Sequence, residues 1–164
     1  MSTGAYVLVK FNDRGKLLPA VEALGGLPKI TKWNAVDGHF NLVLKLEAND
    51  SSLIKKIQKL DGCADLASCE LLSDNETEID LSPEYSYSYL FIETERYQQK
   101  AVQSSLEKLE AITFCSPTSG SCDLVAIAKG ETFDEINRIV DGDIRRLDGI
   151  LRLKQDRIIL LDRM

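Results

Sequence analysis

The feature that most constrains this chain of 164 residues is a phrase it writes twice. VDGHFNLVLKL occupies residues 36–46, and TSGSCDLVAIA occupies residues 118–128. Each contains a glycine, two variable residues, Asn41 or Asp123, then Leu-Val and an apolar run. The flanking segments align as well: Tyr6 with Tyr89, Gly38 with Gly120, and Asp61-Gly62 with Asp148-Gly149. A repeat of this length predicts two small domains, residues 1–72 and 85–164. Between them SDNETEIDLSPE, residues 73–84, is acidic, has no basic residue and carries Pro83, and so reads as a linker.

The elements of the first half follow from apolar spacing. AYVLVKF is a strand, and Leu17, Val21 and Leu24 mark a helix with Pro19 near its first turn and Gly25-Gly26 and Pro28 as its stop. ITKWNAV and FNLVLKLEA flank Asp37-Gly38, a dipeptide suited to a tight hairpin with positive φ. Ser51-Ser52 reads as the N-cap of a short helix through Leu53, Ile57 and Leu60, and ADLASCELL closes the half as a strand.

The second half repeats this order. SYLFIET is a strand, Val102, Leu106 and Leu109 lie on a helix, and ITFCSP and DLVAIAK flank Gly120. Thr132 and Glu135 form a capping box ahead of Phe133, Ile136, Val140, Ile144 and Leu147. Each half is therefore βαββαβ, an α+β ferredoxin-like unit with both helices on one face of a four-stranded antiparallel sheet. Leu42, Leu44 and Leu46 point to the helices; Val43, Lys45 and Glu47 point to a bare face that needs a partner sheet.

Composition narrows the function classes. A hydrophobic share of 44% with 28% charged residues suits a soluble chain with a core. The net charge of −6 is shared evenly by the halves, and the only adjacent arginines, Arg145 and Arg146, read as a solvated helix face, so no direct nucleic-acid partner is expected. MSTGAYVLVKFND lacks the pattern of a signal peptide, and no run is long enough to span a bilayer, which predicts a cytoplasmic protein without a membrane partner. Cys63, Cys69, Cys115 and Cys122 form no C-x-x-C pair, and one histidine completes no usual zinc site, so the expectation is reduced thiols, no metal and no cofactor. Cys115 and Cys122 flank one hairpin, where a redox clasp between them competes with the favoured reading of two free thiols. His39, alone on a loop tip, reads as a solvated side chain, and no catalytic residue is assigned. Lys10 and Lys45 read as barrel-rim residues, and Trp33 and the tyrosines at 85, 87 and 89 as packing.

With AYVLVKF, the G-x-x-D/N-L-V phrase at Gly38 and Gly120 and the D-G turn before each last strand in place, the chain resembles the effector-binding (RAM) domain of the Lrp/AsnC family, in two tandem copies. The resemblance implies that the two sheets pack face to face as a dimeric α/β barrel made within one chain, a pseudo-dimer. It also implies a small-molecule effector, commonly an amino acid, bound near the turn between the second and third strands, together with homo-oligomers of the tandem chain and a place in transcription regulation. The family's helix-turn-helix has no counterpart ahead of the first strand, which points to a ligand-binding module acting with a separate DNA-binding family member.

Gly120, Ser121 and Asp123 carry the family site in the second copy, with Gly38, His39 and Asn41 as its first-copy counterparts. A glycine permits close backbone approach, and a carboxylate receives an ammonium. Asn41 lacks that charge. Plain hairpin glycines and a turn-capping Asn41 are the competing readings. Two other functions stay open: an enzyme using the cavity of an α/β barrel, and an assembly domain whose ligand site has decayed.

Overall fold

Among the described residues, eight antiparallel strands close into one barrel in the order β1-β3-β2-β8-β5-β7-β6-β4. The strands are β1 (Ala5–Phe11), β2 (Ile30–Asp37), β3 (Leu42–Leu46), β4 (Cys63–Leu71), β5 (Ser86–Thr94), β6 (Ile112–Gly120), β7 (Leu124–Gly130) and β8 (Ile150–Ile159). Helices α1 (Leu17–Leu24), α2 (Ser51–Gln58), α3 (Gln99–Glu107) and α4 (Phe133–Ile139) complete two βαββαβ sets. The computed structural model describes residues 4–24, 27, 29–72 and 81–159. Gly25, Gly26 and Pro28, expected to stop α1, and most of the expected linker lie outside these residues.

Moving four places around the ring turns β1 into β5, β3 into β7, β2 into β6 and β8 into β4, so the barrel has a two-fold pattern. Each half supplies a four-stranded sheet, and the sheets meet edge to edge at two seams. At one, residues 35–37 of β2 pair with residues 157–159 of β8; at the other, residues 69–71 of β4 pair with residues 118–120 of β6. Closure leaves no sheet edge unpaired, which disposes of the hazard of open edges.

Strand alternation sorts the side chains into three apolar clusters. Val7, Val9, Leu42, Leu44 and Leu46 pack under α1 and α2, and Leu90, Ile92, Leu124 and Ala126 pack under α3 and α4. The opposite faces, with Tyr6, Leu8, Val43, Tyr89, Phe91, Val125 and Ile127, fill the barrel interior. The expected division of strand β3 therefore holds, with Leu42, Leu44 and Leu46 outward and Val43 inward. Tyr89 is 1% exposed, stacks on Phe91 with centroids 5.7 Å apart, and donates its hydroxyl to Asn34 Oδ1 at 2.8 Å. A buried aromatic of this kind contributes about 1.5–3 kcal/mol from area alone.

Three local expectations are corrected. The N-cap of α2 is Asp50, one residue ahead of Ser51-Ser52, and its carboxylate accepts from Ser52 N at 3.0 Å and Leu53 N at 3.3 Å. Charge at the positive end of a helix suits aspartate better than serine. The apolar ladder from Phe133 does not continue as one α-helix: α4 ends at Ile139, and Val140–Ile144 forms a wider π turn closed by Arg145 N to Val140 O at 2.8 Å. The third correction concerns the first hairpin. Gly38 does not have positive φ; among the described residues the positive-φ glycines are Gly62, Gly120 and Gly149. Residues 38–41 instead make a longer loop, with Val36 N bonded to Asn41 O at 2.9 Å.

Candidate functional site

The two hairpin tips carry the six residues singled out by sequence, and the structure sets each tip against the last strand of the other half. Residues 38–41 lie over β8, and residues 120–123 over β4, four strand positions apart around the ring. Gly38, His39 and Asn41 are thus together at one tip, Gly120, Ser121 and Asp123 at the other, and the barrel separates the two sets.

Close approach explains both glycines. A Cβ on Gly38 would run into Asp156 Oδ1 and come within 2.8 Å of Gln155 O. A Cβ on Gly120 would sit 2.7 Å from Ser68 O, and its φ of +107° is itself costly for any other residue. Ser121 N then bonds Ser68 O at 3.1 Å. The first tip makes the counterpart contact through a side chain, with His39 N and Phe40 N both donating to Asp156 Oδ1.

The third member of the phrase does equivalent work in both halves. Asn41 Oδ1 accepts from Phe11 N at 2.8 Å, at the end of β1. Asp123 Oδ2 accepts from Thr94 N at 2.8 Å, at the end of β5, and from Thr94 Oγ1 at 3.3 Å. Each residue also ties its backbone into the strand it caps, Asn41 N to Val9 O and Asp123 N to Ile92 O, both at 2.8 Å. Gln99 Nε2 donates to Asp123 O at 2.7 Å and to Thr118 O at 2.9 Å, pinning the second tip to the start of α3.

Exposure divides the tips further. Gly38, His39, Gly120 and Ser121 face solvent, Asn41 and Asp123 are half-buried, and Phe40 and Cys122 turn into the interior. The His39 ring rests edge-on against Phe40 at 4.8 Å, and its pKa is lowered by partial burial and by Lys154 and Lys10, with Asp65 opposing. It is therefore a neutral imidazole at neutral pH. Beside the base of this hairpin a groove of about 350 Å³ is lined by Arg14, Asp37, Tyr85, Phe133 and Arg157 among others. Arg14 is paired with Asp37 at 2.7 Å, and Arg157 lies over the Phe133 ring at 5.0 Å.

Two features escaped the sequence reading. Asp156 is fully buried, its Oδ2 has no hydrogen-bond partner among the described residues, and burial pushes its pKa up to about 6 against the pull of the His39 and Phe40 N–H groups and Lys154. No local signal marks it, because the groups it holds lie 116 and 117 residues away. The contact between cysteines is also not the Cys115–Cys122 clasp weighed from the sequence. Cys122 faces Cys69 across the β4–β6 seam, whereas Cys115 points outward into the helix layer of the second half. The turn after β6 explains the difference, since it carries Cys122 onto the inner face.

Among the described residues no group of three or more His, Cys, Asp or Glu side chains is placed to hold a metal ion. No helix among them is long and apolar enough to cross a membrane.

Residues 88–156, from β5 to β8, match the Lrp/AsnC ligand binding domain. No curated protein sequence matches the chain. Among solved structures, the chain is similar to the siroheme decarboxylase NirDL at 12% identity, with a TM-score of 0.76 and coverage of 96% of this chain and 71% of that one. A variant of chlorite dismutase from Candidatus Nitrospira defluvii is similar at 10% identity, with a TM-score of 0.56 and coverage of 98% and 92%. E. coli AsnC matches at 16% identity, with a TM-score of 0.45 and coverage of 52% and 61%. The likeness to the first two is one of fold, a ferredoxin-like dimeric α/β barrel.

Proposed function

We propose that the chain is a regulatory module of the Lrp/AsnC type that binds a free amino acid at its second hairpin, residues 120–123. The observation that carries this reading is that the family match spans that hairpin and both strands it joins. The chemistry is compatible. Ser121 offers an exposed hydroxyl, and Thr94 engages only Oδ2 of Asp123, which leaves Oδ1 as the oxygen for a ligand ammonium. At the first tip Asn41 supplies no charge, so the first-copy residues Gly38, His39 and Asn41 contribute less. On this reading residues 1–72 and 85–164 are two copies joined by residues 73–84. The tandem chain assembles into homo-oligomers in the cytoplasm and acts through a DNA-binding family member.

One observation favours a second reading, an assembly domain without a ligand. Asn41 and Asp123 both commit a side-chain oxygen to a strand-end N–H, so the phrase has a role in the fold without any ligand.

Thermal melting in the presence of each common amino acid tests the proposal. A ligand at a hundredfold excess over its Kd stabilises the folded chain by about 2.7 kcal/mol, a rise in Tm of roughly 5–10 °C for a chain of this size. Asp123→Asn keeps an acceptor for Thr94 N while removing the charge, and should abolish that rise. A flat screen would support the assembly reading instead.

A further inference from the structure

Cys69 and Cys122 lie 53 residues apart in sequence, yet their Sγ atoms are 2.6 Å apart inside the barrel. Cys69 is 0% exposed and Cys122 is 3% exposed. Both belong to the interior cluster with Tyr6, Leu71 and Val125, and Thr118 Oγ1 lies 3.6 Å from Cys122 Sγ. The backbone fixes the approach: Cys69 pairs with Gly120 at the seam, and Ser121 N holds the turn on Ser68 O. Cys63 and Cys115 sit in the two separate helix-layer clusters and have no part in this contact.

From this juxtaposition we propose that Cys69 and Cys122 are a peroxide-oxidisable pair that forms a disulfide across the β4–β6 seam, joining the first half of the chain covalently to the second. Hydrogen peroxide is the oxidant that fits, because sulfurs 0% and 3% exposed offer no surface to a macromolecular thiol or disulfide. The two thiols are not equivalent. Hydrogen bonding from Cys69 holds the Cys122 pKa below its ordinary value, while the same sharing, with burial, pushes that of Cys69 up. Cys122 also lies in the turn, is the more exposed of the two and has the Thr118 hydroxyl beside it, so it is the sulfur that peroxide reaches and the attacking one.

The chemistry balances in two steps. Cys122 sulfur attacks hydrogen peroxide; an S–O bond forms, the O–O bond breaks, and the departing hydroxide leaves as water with the thiol proton. Cys122 is then a sulfenic acid. Cys69 sulfur attacks that sulfur; the S–S bond forms, the S–O bond breaks, and hydroxide leaves with the Cys69 proton as a second water. Two thiols and one hydrogen peroxide become one disulfide and two waters.

The test treats the native, reduced chain with an equivalent of hydrogen peroxide, unfolds it in iodoacetamide and maps the peptides by mass. The expected product is lighter by two hydrogens before alkylation, carries label on Cys63 and Cys115, and yields one crosslinked peptide containing Cys69 and Cys122 that dithiothreitol separates. Label on all four cysteines, a disulfide joining any other pair, or Cys122 ending as sulfinic acid would overturn the proposal. Cys69→Ser removes the resolving thiol, so Cys122 should stop at the sulfenic acid and be captured by dimedone. A folded Cys69→Ser chain that captures none would overturn the assignment of Cys122 as the attacking sulfur. If that variant does not fold, the wild-type map decides the proposal alone.

Discussion

The carboxylate of Asp156 accepts the backbone N–H of His39, so β8 of the second half holds the tip of the first hairpin. That bond is made by a group whose pKa stands near 6 against an ordinary value of 3.8. Because the folded state favours the protonated acid, it binds more protons than the unfolded chain between about pH 4 and 6. Stability therefore falls as pH rises through that window, and the cost is fully present above it. Asp156→Asn keeps an acceptor for His39 N and removes the charge. Urea denaturation should show the variant gaining on the wild type by about 1–3 kcal/mol between pH 4.5 and pH 7.5. An identical difference at both pH values would rule this out.

Replacing Gly120 by alanine meets two obstacles, the positive φ and Ser68 O, and should cost about 1–3 kcal/mol by chemical denaturation. Gly142 is the control. It lies on the exposed side of the π turn with nothing within 4 Å of an added Cβ, so Gly142→Ala should be neutral or stabilising by up to about 1 kcal/mol. Equal effects at the two positions would remove the close-approach explanation.

Asn41→Ala and Asp123→Ala each strip the acceptor from a strand-end N–H. The first should cost about 1–2 kcal/mol and the second about 1.5–3 kcal/mol, because its bond is charge-assisted. Amide exchange offers the sharper readout, with protection lost at Phe11 in one variant and at Thr94 in the other. Unchanged protection at those amides would show that the phrase does not cap the strands.

Phe40 is 2% exposed and meets Phe91 edge-on with centroids 6.1 Å apart, a contact between the two halves. Phe40→Ala should lower stability by about 3–5 kcal/mol in urea titration. A loss below about 1 kcal/mol would mean that the tip contributes little to holding the halves together.

Much of this architecture was legible because its signals are local. Leu17, Val21 and Leu24, or Val102 and Leu106, announce a helix face by spacing, and the alternation along β3 divides Leu44 from Val43 without any knowledge of the partner strand. Asp50 was also readable: an acidic residue directly ahead of Ser51-Ser52 is the better cap. What stayed hidden depends on contacts between the halves. The D-G dipeptide at residues 37–38 looks like a two-residue turn until Asp156 is seen to occupy the space a side chain would need. Cys115 and Cys122 flank one hairpin, but Cys115 lies on the outer face of β6 while the turn after β6 carries Cys122 inward. For the candidate site, the sequence located both tips, while the capping duty of Asn41 and Asp123 required knowing where β1 and β5 end.

The seam between β2 and β8 has a consequence for synthesis. It pairs residues 35–37 with residues 157–159, so its second partner is made only after every other strand of the barrel. Until then Tyr6, Leu8 and Val43 on the inner face of the first sheet have no complete cover. Such long-range pairing makes ring closure the slow, final event of folding, and exposes the nascent first half to chaperones and to neighbouring nascent chains for as long as translation of the second half takes.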